Sequence, residues 1–188
     1  MPAHSTASQT ESWNTALRYI AGRKAAEESL GFLAHISATV RQTTDPEAVG
    51  AAVAKACVPF FASAVALDTP ARPAAVEGPD GSSAALEALR DLAADRGQRQ
   101  LVVSTHEKLA DRTVPDHLDL LRGWGLDSAA VLALEYRGVT SGHLVLVRDA
   151  KHRRGALAPS DLALAVEVAD RIAAFNAFAA RSAVPDGR

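Results

Sequence analysis

Apolar and polar positions change period several times along the chain, and each change marks an element. From Trp13 to about Val40 the apolar residues recur at helical spacing. Trp13, Leu17 and Ile20 share one stripe, Leu33, Ile36 and Val40 another, and Gly22 and Gly31 are points where this helix could bend. Asp45-Pro46-Glu47 reads as a second helix start, with an acid as N-cap and proline at the first helical position. Val49, Ala52, Val53, Ala56, Cys57 and Phe60 then form its apolar face. Residues 63–68 read as a strand and 74–77 as a short edge strand. Residues 83–96 read as a helix with Leu86, Leu89 and Leu92 on one side. Residues 101–105 read as a strand, and 116–124 as a short helix capped by Gly123 or Gly125.

Two apolar runs, 128–136 and 139–147, flank Arg137-Gly138. This pattern predicts a hairpin with a two-residue turn, pairing Leu132 with His143, Ala130 with Val145 and Leu134 with Ser141. Pro159 opens a final helix over 159–181, with Asp161 in its first turn. Residues 1–12 and 182–188 are polar and are expected as tails, the first disordered. The order helix-helix-strand-(strand)-helix-strand-helix-strand-strand-helix predicts an α+β fold, an antiparallel sheet with helices on both faces.

Composition narrows the function classes. The chain has 188 residues, enough for one domain, and 48% are hydrophobic but only 5% aromatic, so the core is aliphatic. A formal charge of −2 gives no basic footprint for nucleic acid. Cys57 is the one cysteine, which excludes an internal disulfide and a cysteine metal cluster. No apolar run approaches the ~20 residues that span a bilayer, and the N-terminus has no secretory signal pattern, so a cytoplasmic location is expected. Phosphate-binding glycine loops, paired metal-binding histidines and a nucleophile elbow are all missing from the sequence. No catalytic residue, metal or cofactor is therefore assigned.

Several segments together resemble a GAF domain. They are Gly125–Leu134 running into a strand, Arg137–Leu144 across the turn, Leu157–Ala165 opening the last helix, Arg171–Ala177 within it, and Asp45–Ala48. The resemblance covers residues 30–181 and extends to GAF domains of actinobacterial signalling proteins. It implies an antiparallel sheet of about six strands. The N- and C-terminal helices (13–40 and 159–181) would cover one face, and short helices and loops would close a small-molecule pocket on the other. It also implies a homodimer formed through the terminal helices, with Trp13, Leu17, Ile20, Phe175 and Phe178 as interface candidates. No output domain follows residue 181, so the chain reads as a stand-alone or excised module.

In the predicted pairing, Ala130, Leu132, Leu134, Ser141, His143 and Val145 form a mixed face, and Val131, Leu144 and Leu146 an aliphatic one. A mixed face suits a pocket. Ser104, His106, Trp124, Ala130, Leu132, Ser141, His143 and Val145 are accordingly the candidate ligand-binding residues. Each has a plainer reading. His143 could bond a carbonyl or solvent, His106 could be a solvated loop residue, and Trp124 could be a core plug. Heme on His106 or His117 is disfavoured because the glycine-rich segment of heme-binding relatives is missing. Cys57 reads as a buried structural residue. Lys151-His152-Arg153-Arg154 reads as a solvated basic loop, with a phosphate contact or an acidic partner as the alternative. The expected function is non-catalytic sensing of a small molecule, passed through the terminal helices to a partner. The alternatives are a ligand-free dimerisation or interaction module and an enzyme on the same scaffold.

Overall fold

Arg137 and Gly138 both adopt positive φ, 52° and 80°. This is the backbone that a two-residue turn between right-twisted strands requires. In the computed structural model the turn joins β4 (Leu126–Tyr136) to β5 (Val139–Asp149). These strands pair with β3 (Gln100–Val103), β1 (Ala64–Thr69) and β2 (Arg72–Glu77) in an antiparallel sheet of order β2-β1-β5-β4-β3. The structure describes residues 4–43, 45, 48–69, 72–94, 100–103 and 115–182, and among them the sheet has five strands where about six were expected.

The helices are α1 (His4–Gln42), α2 (Val49–Cys57), α3 (Ser82–Ala94), α4 (Pro115–Trp124) and α5 (Pro159–Ser182). The element order is the one the apolar periods give. α1 begins at His4 rather than near Trp13 and runs unbroken through Gly22 and Gly31. Apolar spacing detects burial, and a polar segment without proline can extend a helix beyond the point where spacing stops. The chain divides into two units, Met1–His35 and Ile36–Arg188. In the first, Trp13, Leu17 and Ile20 are all exposed, at 67%, 49% and 61%.

In the second unit one sheet face lies under α3 and α4. Ala64 and Ala66 of β1, Ala129 and Val131 of β4, and Val145 and Val147 of β5 are buried there with Leu86, Leu89, Leu92, Leu118 and Leu121. Residues of the opposite parity, including Val65, Leu67, Ala130, Leu132, Leu144 and Leu146, are buried on the other face, which α2 and α5 cover. Gly50 of α2 faces this side of the sheet, where an added Cβ would make ordinary contact with the Leu67 side chain at 3.5 Å. Buried Val168, Ile172 and Ala173 form the inward stripe of α5.

A buried charge network ties the end of β5 to the start of α5. Arg148 is fully shielded; its Nη1 donates to Asp161 Oδ2 at 2.9 Å and its Nε to the Phe61 carbonyl at 2.9 Å. Arg154 Nη2 donates to Asp161 Oδ1 at 2.8 Å, and the Ala158 N–H reaches Asp161 Oδ2 at 3.1 Å. Ser128 Oγ accepts the Leu157 N–H at 2.9 Å. Most buried donors in this connection are bonded in this way; Arg148 Nη2 is an exception, buried with no hydrogen-bond partner among the described residues.

Candidate functional site

The hairpin register decides which side chains share the face under α3. Near the turn the pairs follow the predicted sum: Tyr136 opposite Val139 and Glu135 opposite Thr140. The register then shifts, and beyond it Ala133 lies opposite His143, Leu132 opposite Leu144, Val131 opposite Val145 and Ala130 opposite Leu146. Ser141 and Gly142 together oppose Leu134, a β-bulge, with Gly142 at φ 138°. The predicted pairs Leu132–His143 and Ala130–Val145 are therefore corrected by one residue on β5, while Ser141 still faces Leu134 within the bulge.

A one-residue shift exchanges faces. Ala130 and Leu132 lie on the α5 side, away from His143 and Val145. Ser141 also leaves the predicted group. Its hydroxyl donates to the Leu134 carbonyl at 3.2 Å and accepts from Asn176 Nδ2 of α5 at 3.2 Å. The mixed face expected from sequence separates into an α5-facing set (Ala130, Leu132, Ser141) and an α3-facing set (His143, Val145).

The α3-facing set has companions that the sequence pattern missed. Asp68 of β1 lies opposite His143, which in turn lies opposite Ala133. Alternation from Ala66, Val145 and Val131 puts Asp68, His143 and Ala133 on the α3 side. Arg90 of α3 reaches Asp68 Oδ2 at 4.0 Å and bonds Asp91 Oδ1 at 3.0 Å through Nε and Nη2. Burial works against the Arg90 charge, but the Asp91 bond, with Asp68 and Glu87 nearby, outweighs it and raises its pKa above the ordinary value. The aliphatic face thus ends in a half-buried row, His143–Asp68–Arg90, carrying a carboxylate, a guanidinium and an imidazole. An acid pointing inward at the penultimate position of a short apolar strand, as in Ala64–Thr69, was the available signal.

Ser104 and His106 lie outside the described residues, as does the His117 side chain. Trp124 packs against the buried cluster under α3 and α4 and borders a shallow cleft with Asp116, Asp119 and Leu120. It precedes β4 while His143 lies opposite Ala133, so roughly 20 Å of strand separates the two. Phe178 is exposed on α5 and Phe175 half-buried. Cys57 is fully buried, and burial pushes its thiol up to about 12, far from a reactive thiolate. No group of three or more His, Cys, Asp or Glu among the described residues is placed to hold a metal, and no helix among them is long and apolar enough to cross a membrane.

An antiparallel sheet with α2 and α5 on one face and α3 and α4 on the other is the architecture of a class of small α+β modules. A GAF domain model matches residues 30–174, and the chain belongs to that family. The GAF domain of a phosphoenolpyruvate-protein phosphotransferase from Coxiella burnetii superposes with a TM-score of 0.61 at 18% identity, covering 84% of this chain and 97% of that one. The corresponding domain from Acinetobacter gives 0.60 at 12% identity, covering 82% and 96%. A phycocyanobilin-bound GAF domain from a cyanobacterial phytochrome gives 0.57 at 14% identity, covering 83% and 97%. No curated protein sequence matches the chain.

Proposed function

We propose that this GAF domain senses a small molecule held on the sheet face under α3, with His143, Asp68 and Arg90 recognising its polar group. The observation that carries this reading is the placement of these three side chains at the end of an otherwise aliphatic face. An apolar floor with a few convergent polar groups is the usual composition of a ligand site. Imidazole both donates and accepts, the carboxylate accepts, and the guanidinium donates. The ligand class is an amphiphile with an apolar body and a donor–acceptor head. The family supplies a precedent in the phycocyanobilin-bound relative. Binding would favour one arrangement of α3 over another, and a partner would read the difference. The test is a thermal-shift screen of polar-headed amphiphilic metabolites. A hit must raise the melting temperature of the native chain and lose most of that effect in His143→Leu. A hit that stabilises both chains equally removes His143 from the site.

Homodimerisation through the N-terminal helix accompanies this reading. Trp13, Leu17 and Ile20 recur at i, i+4 and i+7 and are largely exposed along two turns of α1. A second copy presenting the same stripe would bury it. Equilibrium sedimentation checks this: Trp13→Glu/Ile20→Glu should give a monomer where the native chain is dimeric.

A further inference from the structure

A cavity lies at the opposite end of the sheet from His143. It is a cleft of about 530 Å³ between the α2–β1 turn, the β2–α3 turn and the β5–α5 connection. That volume falls within the ~300–1,000 Å³ of small-molecule sites. Val58, Pro59, Phe60 and Pro79 make its apolar walls, and Lys151 and Arg153 supply cations. About 20 Å along β5 separates His143 from Asp149 at the cleft, so this is not the face under α3.

The charges around the cleft sort into engaged and free ones. Arg154 is held by Asp161 at 2.8 Å. The Asp149 carboxylate, which also lines the cleft, accepts the Ser63 hydroxyl at 3.0 Å, and the Asp149 N–H donates back to Ser63 Oγ at 3.1 Å. His152 Nδ1 accepts the Arg154 N–H at 3.3 Å, which leaves the proton on Nε2, donating to the Pro59 carbonyl at 3.1 Å. His152 is therefore neutral and fixed. Arg153 lies with its guanidinium 5.1 Å from the centre of the Phe60 ring, and neither it nor Lys151 has a carboxylate partner among the described residues. Two cations against one carboxylate leave the cleft with a single positive charge.

We propose that this cleft binds a small organic monocarboxylate. Its apolar body lies against Val58, Pro59 and Pro79, and its carboxylate meets Lys151 and Arg153. Arg153 offers a planar fork matched to a carboxylate and is held in place by the Phe60 ring. The Pro59 wall is fixed before the ligand arrives, because the Pro59 carbonyl is bonded to the His152 ring at 3.1 Å. Prior fixing lowers the ordering cost of binding.

The experiment is a heteronuclear NMR titration of the full chain with benzoate, indole-3-acetate and hexanoate. Benzyl alcohol serves as a neutral control and inorganic phosphate as an anion without an apolar body. The expected result is saturable shifts at the amides of Ser63 and Lys151 to Arg154 with at least one carboxylate. Affinity should fall roughly tenfold or more for benzyl alcohol, for phosphate, and for the carboxylate against Lys151→Gln/Arg153→Gln. Both substitutions are on the surface, and superposable spectra away from the loop confirm that the variant is folded. Absence of saturable shifts with all three carboxylates, equal binding of the neutral or phosphate control, unchanged affinity in the variant, or shifts at Val131 and Val145 instead would each overturn the assignment.

Discussion

Arg148 Nη1 donates to Asp161 Oδ2 across 2.9 Å, with the Arg148 side chain fully shielded from water and that of Asp161 only 6% exposed. A β-strand end and a helix start are thereby joined through one buried ion pair. Such pairs stabilise weakly against an apolar replacement, yet removing one partner strands the other charge and costs about 3–5 kcal/mol. Asp161→Asn should therefore unfold at markedly lower denaturant than the native chain. In a double-mutant cycle with Arg148→Met, the two losses should fall short of additivity by about 0.5–3 kcal/mol. Additive losses would mean that the carboxylate and guanidinium act independently.

Acid should weaken the same corner in two stages. For His152, burial disfavours the charged ring and outweighs the bond to the Pro59 carbonyl, so its pKa lies below the ordinary 6.5. The unfolded chain binds that proton first, so the stability from His152 is complete above 6.5 and is lost as pH falls through the folded value. For Asp161, burial pushes the carboxyl up, but the bonds from Arg148, Arg154 and the Ala158 N–H prevail and hold it below 3.8. Its contribution is present above 3.8 and is lost as pH falls through that lower folded pKa. Denaturation midpoints measured against pH should show both declines, and His152→Gln should flatten the first while leaving the second. An unaltered first decline in that variant would assign it to another group.

Gly78 tolerates no side chain. It takes φ +154°, and an added Cβ would stand 2.7 Å from Ala64 Cβ and 2.9 Å from Ser82 Oγ. Neither neighbour can yield, since Ala64 lies in the buried cluster on β1 and Ser82 Oγ is bonded to the Pro79 carbonyl at 2.7 Å. Gly78→Ala should cost about 1–3 kcal/mol in chemical denaturation, as overpacking does. A neutral result would show that the β2–α3 turn moves freely away from β1.

Arg137 is strained in the opposite, correctable sense. A positive φ of 52° disfavours arginine, whereas asparagine adopts it readily at this turn position. Arg137→Asn should stabilise the chain by about 0.5–1 kcal/mol, reduced by loss of the guanidinium lying 5.4 Å from the Tyr136 ring. A fall in melting temperature would show that the ring contact outweighs the backbone term.

The elements were legible in the sequence because apolar period reports directly on burial. Leu86, Leu89 and Leu92 place α3, and Arg137-Gly138 places the hairpin turn. The site was less legible because it depends on register. Gly142 in mid-strand was the one local sign of a bulge, and without it the residues of β5 from His143 to Arg148 are assigned to the wrong face of β4. Asp68 and Arg90 escaped notice for a different reason. They stand more than twenty positions apart, on a strand and a helix, and only the packing of α3 on β1 makes them neighbours. Arg148 reads as the polar end of an apolar run, and nothing local reveals its buried partner thirteen residues on.

The thiol of Cys57 provides a probe of the α2 face. It is fully buried with its pKa pushed up to about 12 by burial, so native protein at neutral pH presents almost no thiolate. Labelling by a disulfide reagent should be negligible in the folded chain and complete after denaturation. If labelling proceeds slowly, its rate should follow the opening of α2, since Val49, Val53 and Ala54 are buried on the same helix. A variant that loosens this face, such as Val53→Ala, should then react faster in proportion to its loss of stability. Rapid labelling of the native chain would place Cys57 at an accessible surface and contradict the packing of α2 on the sheet.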